Sequence, residues 1–456
     1  MSDFQIETVS DFQVEARSDS QVKCIGISEL DLYPEYKNSG VEWIGEIPKE
    51  WDTVRIKWLS PVKRGASPRP IDNPIYFDDD GDFSWVRIAD VTSSERYLEE
   101  TTQKLSKLGS SLSVKQYPGD FFVSIAGSVG KPIITKIKCC IHDGFVWFPY
   151  LKLNSEYLYY IFTSGEPYKG LGKLGTQLNL NTETVGNISI PLPPDEYEIN
   201  EIVVFLDRET SRIDTLIEKK QRFIELLKEK RSALISHAVT KGLDPDVSMT
   251  NSGIEWVGKI PIGWHITKLK YLVNLRNEKT NNVINYSTKI ALENIESFTG
   301  KLLNSYSDFE GDGTIIKEGD VLFNKLRPYL CKAVIAPSEG VAVGELLVFR
   351  IQETLLESKF LLYRILTHEF ISLVDGATYG TKMPRASWEF IKNIEIPVPS
   401  LPEQQAIASY LDRETAQIDT LIEKIKQSIE HLKEYRTALI SGAVTGKIDV
   451  RGTVCE

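Results

Sequence analysis

Residues 206–240 of this chain occur a second time as residues 411–445, with 25 identities over 35 aligned positions at a shift of 205. The shared runs include Leu-Asp-Arg-Glu-Thr, Ile-Asp-Thr-Leu-Ile-Glu-Lys and Ala-Leu-Ile-Ser. Apolar residues recur near heptad spacing: Leu206, Ile213, Ile217, Ile224, Leu227 and Leu234 in one copy, and Leu411, Ile418, Ile422, Ile425, Ile429, Leu432 and Leu439 in the other. That pattern predicts two long amphipathic helices that pack against helices. Gly and Pro are absent from each until Gly242 and Gly442, so each rod should extend unbroken for roughly 50 Å at about 1.5 Å per residue.

A second repeat precedes each rod. Asn38-Ser-Gly-Val-Glu-Trp-Ile-Gly-Glu-Ile-Pro-Lys-Glu-Trp51 returns as Asn251-Ser-Gly-Ile-Glu-Trp-Val-Gly-Lys-Ile-Pro-Ile-Gly-Trp264, now shifted by 213. Its fixed Gly, Pro and Trp positions predict a turn-rich lead-in that docks on a core. Between lead-in and rod lie mixed α and β inserts, with strand-like Phe121-Phe-Val-Ser-Ile and Val321-Leu-Phe and short helical patches over 155–162 and 356–368. The inserts share anchors such as Ile190-Pro-Leu-Pro and Ile396-Pro-Val-Pro but otherwise differ freely. A frame kept nearly verbatim around dissimilar inserts is what two modules with different targets would require.

The net charge of −11 argues at first against a nucleic-acid partner, but residues 1–50 hold eleven acids against four bases and so account for most of it. The remaining body is close to neutral and can carry basic patches. The acidic start repeats Ser-Asp-(Phe/Ser)-Gln at Ser2, Ser10 and Ser18 and is expected to be a disordered tail over 1–35. No run of 18 apolar residues predicts a membrane span, and the first residues do not have the form of a signal peptide. Five cysteines without a C-x-x-C pair read as free thiols of a cytoplasmic protein.

Enzyme motifs fail one by one. Asn73-Pro-Ile-Tyr76 falls short of a methyltransferase Asn/Asp-Pro-Pro-Tyr/Phe motif and no Gly-rich cofactor loop accompanies it. Gly127-Ser-Val-Gly-Lys131 echoes a phosphate-binding loop without its first Gly or the Ser/Thr after the lysine. Glu218-Lys-Lys220 lies within a rod, where it reads as a solvated face, and the histidines and cysteines lack metal-ligand spacing. No catalytic residue and no metal site are expected.

The Ser-Gly-(Val/Ile)-Glu-Trp-(Ile/Val)-Gly-x-Ile-Pro lead-in, the Ile-Pro-(Leu/Val)-Pro run into a long helix, Pro402-Glu-Gln-Gln and the terminal Ala-Leu-Ile-Ser-x-Ala-Val-Thr together resemble the specificity (S) subunits of type I restriction–modification systems. Trp85-Val-Arg-Ile-Ala-Asp90 and the segment Gly319 to Tyr329 resemble insert motifs of the same family. The first copy departs at Pro194-Asp-Glu-Tyr-Glu, where the family has a Glu-Gln-Gln-like run. The resemblance implies an α+β chain: two mixed α/β target-recognition domains held apart by two long helices paired as an antiparallel coiled coil, in a pseudo-twofold internal repeat. It implies a non-catalytic subunit whose domains each read one half of a bipartite, asymmetric site on double-stranded DNA. Two methylation subunits would dock on the helices, whose apolar residues from Leu206 to Leu234 and from Leu411 to Leu439 form a face wider than one helical partner covers and so serve both the coiled coil and partner binding, and restriction subunits would join them. S-adenosylmethionine, ATP and Mg2+ would belong to those partners, whose complex methylates DNA adenine and cleaves DNA with ATP.

The expected organisation is the tail over 1–35, a first recognition domain over 36–200 (lead-in 38–51), a first helical region over 201–242, a second recognition domain over 243–402 (lead-in 251–264), a second helical region over 403–448, and a tail over 449–456. DNA contacts call for Lys, Arg, amide or hydroxyl side chains on loops. The candidates are Arg64, Ser67, Arg69, Arg87, Lys131, Lys173, Thr176, Gln177 and Asn179 in the first insert. In the second they are Lys325, Arg327, Tyr379, Thr381, Lys382 and Arg385. The competing reading is a coiled-coil scaffold that binds protein and no DNA.

Overall fold

The computed structural model describes residues 31–171, 180–303, 309, 311–380 and 382–453. Four helices organise it: α1 (Ser155–Thr163), α2 (Glu196–Lys241), α3 (Ser358–Ile365) and α4 (Leu401–Val444). The long helices exceed the expected rods, at 46 and 44 residues. The departure at Pro194 does not delay α2, because Asp195 caps it, its Oδ1 accepting from the Glu198 amide at 2.9 Å. Gly242, at φ +78°, closes α2. Helix α4 runs on through Gly442 and is closed by Gly446 at φ +67°.

The described residues divide into two compact units, 31–220 with 427–453, and 221–426. Each holds the first half of one long helix and the last half of the other. In the first unit Asp214 meets Arg436, while Arg208 donates to the carbonyl of Thr453 at 3.1 Å. In the second Asp419 meets Arg231, while Gly242 lies against Glu403 and Trp264. The partner number rises as the helix number falls, so the helices pair antiparallel within each unit. Leu206, Ile213, Leu439, Ile440 and Val444 share one core with Ile217 and Leu432 at its margin. Ile224, Leu227, Leu234, Leu411, Ile418, Ile422, Ile425 and Ile429 are also buried. The apolar stripe is therefore consumed within the chain, and the exposed helical faces are mostly polar.

Each lead-in is a short hairpin, Tyr36–Asn38 on Glu46–Pro48 and Met249–Asn251 on Lys259–Pro261. The tryptophans that follow dock rather than face solvent. Trp51 donates its indole N–H to Glu198 at 3.0 Å, and Trp264 does the same to Glu403 at 3.0 Å. Against Trp51 packs Gly446 and against Trp264 packs Gly242. The start of one helix, the end of the other and the lead-in are thereby locked together in each unit. Tyr33 corrects the expected extent of the tail, since it is buried and donates to Glu198 at 2.6 Å; the rest of that expectation, residues 1–30, lies outside the described residues.

The first unit carries a five-stranded sheet, ordered Lys63–Arg64, Phe145–Trp147, Phe121–Ser124, Pro132–Thr135, Tyr97–Leu98. Behind it lies a four-stranded sheet of Lys104–Leu105, Phe83–Val86, Cys139–Ile141 and Val114–Gln116. The second unit has two four-stranded sheets, one of Val273–Leu275, Leu346–Ile351, Val321–Asn324 and Ala333–Ile335, the other of Lys279–Thr280, Gly313–Ile316, Gly340–Val343 and Lys289–Ile290. Parallel and antiparallel pairs mix in both units. The Pro-containing runs into the long helices form two-stranded edges, Ser189–Leu192 on Asp52–Arg55 and Glu395–Val398 on His265–Lys268, where a missing N–H is tolerated.

Short helices fasten these sheets to the rods. On α1, Tyr160 donates to Asp207 at 2.5 Å and lies 3.4 Å from the Thr210 hydroxyl. On α3, Tyr363 donates to Asp412 at 2.8 Å and lies 3.3 Å from the Thr415 hydroxyl. The cation beside each aspartate differs, Arg96 in one unit and Lys359 in the other.

Candidate nucleic-acid interface

Among the described residues, the candidates lie at or just beyond the ends of regular elements. In the first unit the Lys63–Arg64 strand and the loop that follows it to Arg69 are pressed onto the turn before the Phe145–Trp147 strand. A Cβ on Gly65 would fall 2.1 Å from the His142 carbonyl oxygen, so only glycine allows the approach. That turn presents Asp143, on which three candidates converge. Ser67 donates to Oδ1 at 3.1 Å, Arg69 Nη2 to Oδ2 at 3.2 Å, and Arg64 Nε to the backbone carbonyl. Partial burial pushes the Asp143 carboxyl up, but the Ser67 hydroxyl, a backbone hydrogen bond and the two guanidiniums outweigh it and hold it below its ordinary value. Burial lowers the neighbouring His142, whose Nδ1 accepts from the Gly144 amide at 2.8 Å.

The surface continues through Ala126, against which Gly144 packs, to Ser128 and Thr92, whose hydroxyls lie 2.7 Å apart. Arg87 follows, bound to Asp90 and Thr102. Lys131 plays a different part: its ammonium donates to the carbonyls of Thr92 and Ser94, and burial lowers its pKa. The phosphate-loop echo at 127–131 leads into a strand, with its lysine spent on holding the turn. Lys173, Thr176, Gln177 and Asn179 lie outside the described residues.

In the second unit Lys325, Arg327, Tyr379 and Arg385 come together. Tyr379 and Arg385 exchange backbone hydrogen bonds of 3.2 and 3.0 Å, enclosing exposed Lys382, while Thr381 lies outside the described residues. The Arg327 amide donates to Pro384 and the Ala386 amide to Lys325, both at 2.8 Å. Arg385 Nη2 donates to Glu345 Oε1 at 2.7 Å, and the Lys325 amide to the Glu345 carbonyl at 3.0 Å.

A shared scaffold holds both turns. Ser124 ends one strand and its hydroxyl ties down the Ser128 and Lys131 carbonyls. Asn324 ends the matching strand and its amide binds the Leu326 and Arg327 carbonyls at 2.8 and 3.1 Å. Both side chains are fully buried. Sequence reasoning passed over Asp143 and Glu345, since acids are not sought at a DNA surface. It also missed Lys57 beside exposed Trp58 and Lys270 beside exposed Tyr271, each lysine held by an asparagine, Asn187 or Asn393. The shift of 213 that aligns the lead-ins aligns these pairs too.

Among the described residues no helix is long and apolar enough to cross a membrane, and no cluster of three His, Cys, Asp or Glu side chains is placed to hold a metal. The sequence matches the type I restriction modification DNA specificity domain over residues 48–226 and 261–431. The chain belongs to that family. Its members named as type I restriction enzyme specificity subunits include the EcoDI subunit of Escherichia coli, 22% identical over 89% of this chain and 90% of its own. The MjaVIII subunit of Methanocaldococcus jannaschii is 26% identical over 89% and 94%. A solved structure from work on assembly of the type I R-M system has the same fold, with TM-score 0.68 and 17% identity over 88% of this chain and 99% of that one. The HsdS subunit of Thermoanaerobacter tengcongensis superposes at TM-score 0.50, 17% identity, over 88% and 98%. As a type I specificity subunit this chain is the non-catalytic, DNA-recognition component of its system.

Proposed function

We propose that each unit reads one half of a bipartite, asymmetric site on double-stranded DNA, and that α2 and α4 set the spacer between the halves. The observation that supports this most is the contrast between frame and readers. The Trp–Glu locks, Tyr–Asp–Thr fasteners and interhelical ion pairs recur in matched positions, as a pseudo-twofold repeat would require. The side chains on the turns they support do not match: Arg64, Ser67, Arg69 and Arg87 in one unit, Lys325, Arg327, Tyr379, Lys382 and Arg385 in the other. Lys173, Thr176, Gln177, Asn179 and Thr381 complete the two sets, and Lys131 braces its turn.

The recognition domains span 36–200 and 243–402, and the helical regions 201–242 and 403–448. Two methylation subunits dock on the polar faces that the helices leave exposed, restriction subunits join them, and the assembly works in the cytoplasm. S-adenosylmethionine, ATP and Mg2+ are bound by those partners. The test is a mobility-shift titration of the chain with its methylation partner on random and selected duplexes. Preference for one split sequence, with affinity falling steeply as salt rises, is expected. Equal binding to all duplexes, insensitive to salt, would support the scaffold reading instead.

A further inference from the structure

The geometry points to Asp143 and Glu345 as specificity-determining positioning residues, each a carboxylate that fixes one reading arginine of its unit, Arg69 or Arg385, at one orientation and subtracts from its attraction to phosphate. This rests on the DNA-reading function proposed above.

The two acids occupy corresponding places. Phe145 pairs with Ser124 and Leu346 with Asn324 at the ends of the central strands, and the acids lie two residues and one residue before Phe145 and Leu346. The inserts diverge, yet each keeps a carboxylate at this turn and each spends it on arginine. Asp143 receives Arg69 and Ser67 directly and Arg64 through its own carbonyl. Glu345 receives Arg385, and its Oε2 is buried with no hydrogen-bond partner among the described residues, so Arg385 is its main compensation.

An exposed arginine on a free stem binds any phosphate it meets. Reading a base edge needs the planar fork at a set angle, with two N–H groups aimed at paired acceptors. A carboxylate on one side of the guanidinium supplies that angle before DNA arrives and leaves the other N–H groups for the groove. Arg64 and Arg69 remain 59% and 79% exposed on their side chains, so their free edges are open to a ligand. The negative charge also offsets the field that would otherwise hold the surface on any duplex. Binding without a matching base then gains less, and discrimination rises.

The experiment uses the full chain with its methylation partner, comparing Asp143→Asn and Glu345→Gln with the parent on duplexes altered in one half-site at a time. Asp143→Asn is expected to reduce discrimination in one half by about tenfold, the scale of one bidentate base contact, with non-specific affinity and its salt slope raised and the other half unchanged. Glu345→Gln should do the same for the other half only. Ser67→Ala, which weakens the same clamp without touching the charge, should give a smaller loss in the Asp143 half and guards against misfolding of Asp143→Asn. Discrimination unchanged in all three variants, or lost equally in both halves at unaltered melting temperature, would overturn the inference. A parent complex that prefers no split sequence would instead sink the DNA reading beneath it.

Discussion

Arg436 on α4 binds Asp214 on α2, Nε to Oδ1 at 2.9 Å, and the residues displaced from them by 205, Arg231 and Asp419, form the same pair with the helices exchanged, at 3.2 Å. The two pairs differ in burial. Arg436 and Asp214 keep 27% and 51% of their side-chain surface, Arg231 and Asp419 only 9% and 18%. Arg231 also donates to the carbonyls of Phe298 and Thr299 at 3.0 Å.

Removing each arginine should therefore cost different amounts. Arg231→Ala removes a buried guanidinium, leaving Asp419 to Lys301 alone and the Phe298 and Thr299 carbonyls without their donor, and is expected to cost about 1–3 kcal/mol. Arg436→Ala opens an exposed pair and should cost about 0–1 kcal/mol. Urea unfolding curves of the two variants check this; equal costs would contradict the assignment.

The Trp–Glu locks predict an ordering of their own. Glu198 accepts from both Trp51 and Tyr33, Glu403 from Trp264. Truncation to Ala leaves two buried donors orphaned in the first case and one in the second, at about 1–3 kcal/mol for each. Glu198→Ala should lower the melting temperature more than Glu403→Ala, measured calorimetrically.

Much of this was legible in the sequence. The rods announced themselves by heptads and by the absence of Gly and Pro, and the duplicated lead-in forms a matching hairpin in each unit. Helix limits were less legible. Asp195 caps α2 ahead of the expected start at 201, and Gly442 is absorbed into α4 because helical packing outweighs its propensity cost. The site was harder still, because what makes Lys131 a brace or Asp143 a hub is a neighbour distant in sequence. No local pattern reports that Thr92 and Ser94 turn their carbonyls toward position 131.

Burial also governs the thiols. Cys139, Cys140 and Cys331 are buried, and burial pushes each up to about 12. They should stay protonated and unmodified by iodoacetamide in the native protein at pH 8, and react once urea exposes them. Peptide mass spectrometry after labelling is the check, and native labelling at any of the three would contradict it.

Asp143 supplies a pH signature. Its folded pKa is depressed, so its contribution is fully present above the ordinary carboxylate value of about 4 and is lost as pH falls through the lower folded value. A carboxyl NMR titration should place its midpoint below that of an exposed aspartate; a midpoint at or above it would show that the arginines do not hold it.

The division of labour between the units is tested most directly by exchanging residues 46–198 for the corresponding insert of another specificity subunit and sequencing the sites that the assembled complex methylates. A change confined to one half of the split sequence, with the other half and the spacer kept, is the expected result. A change in both halves, or in neither, would contradict it.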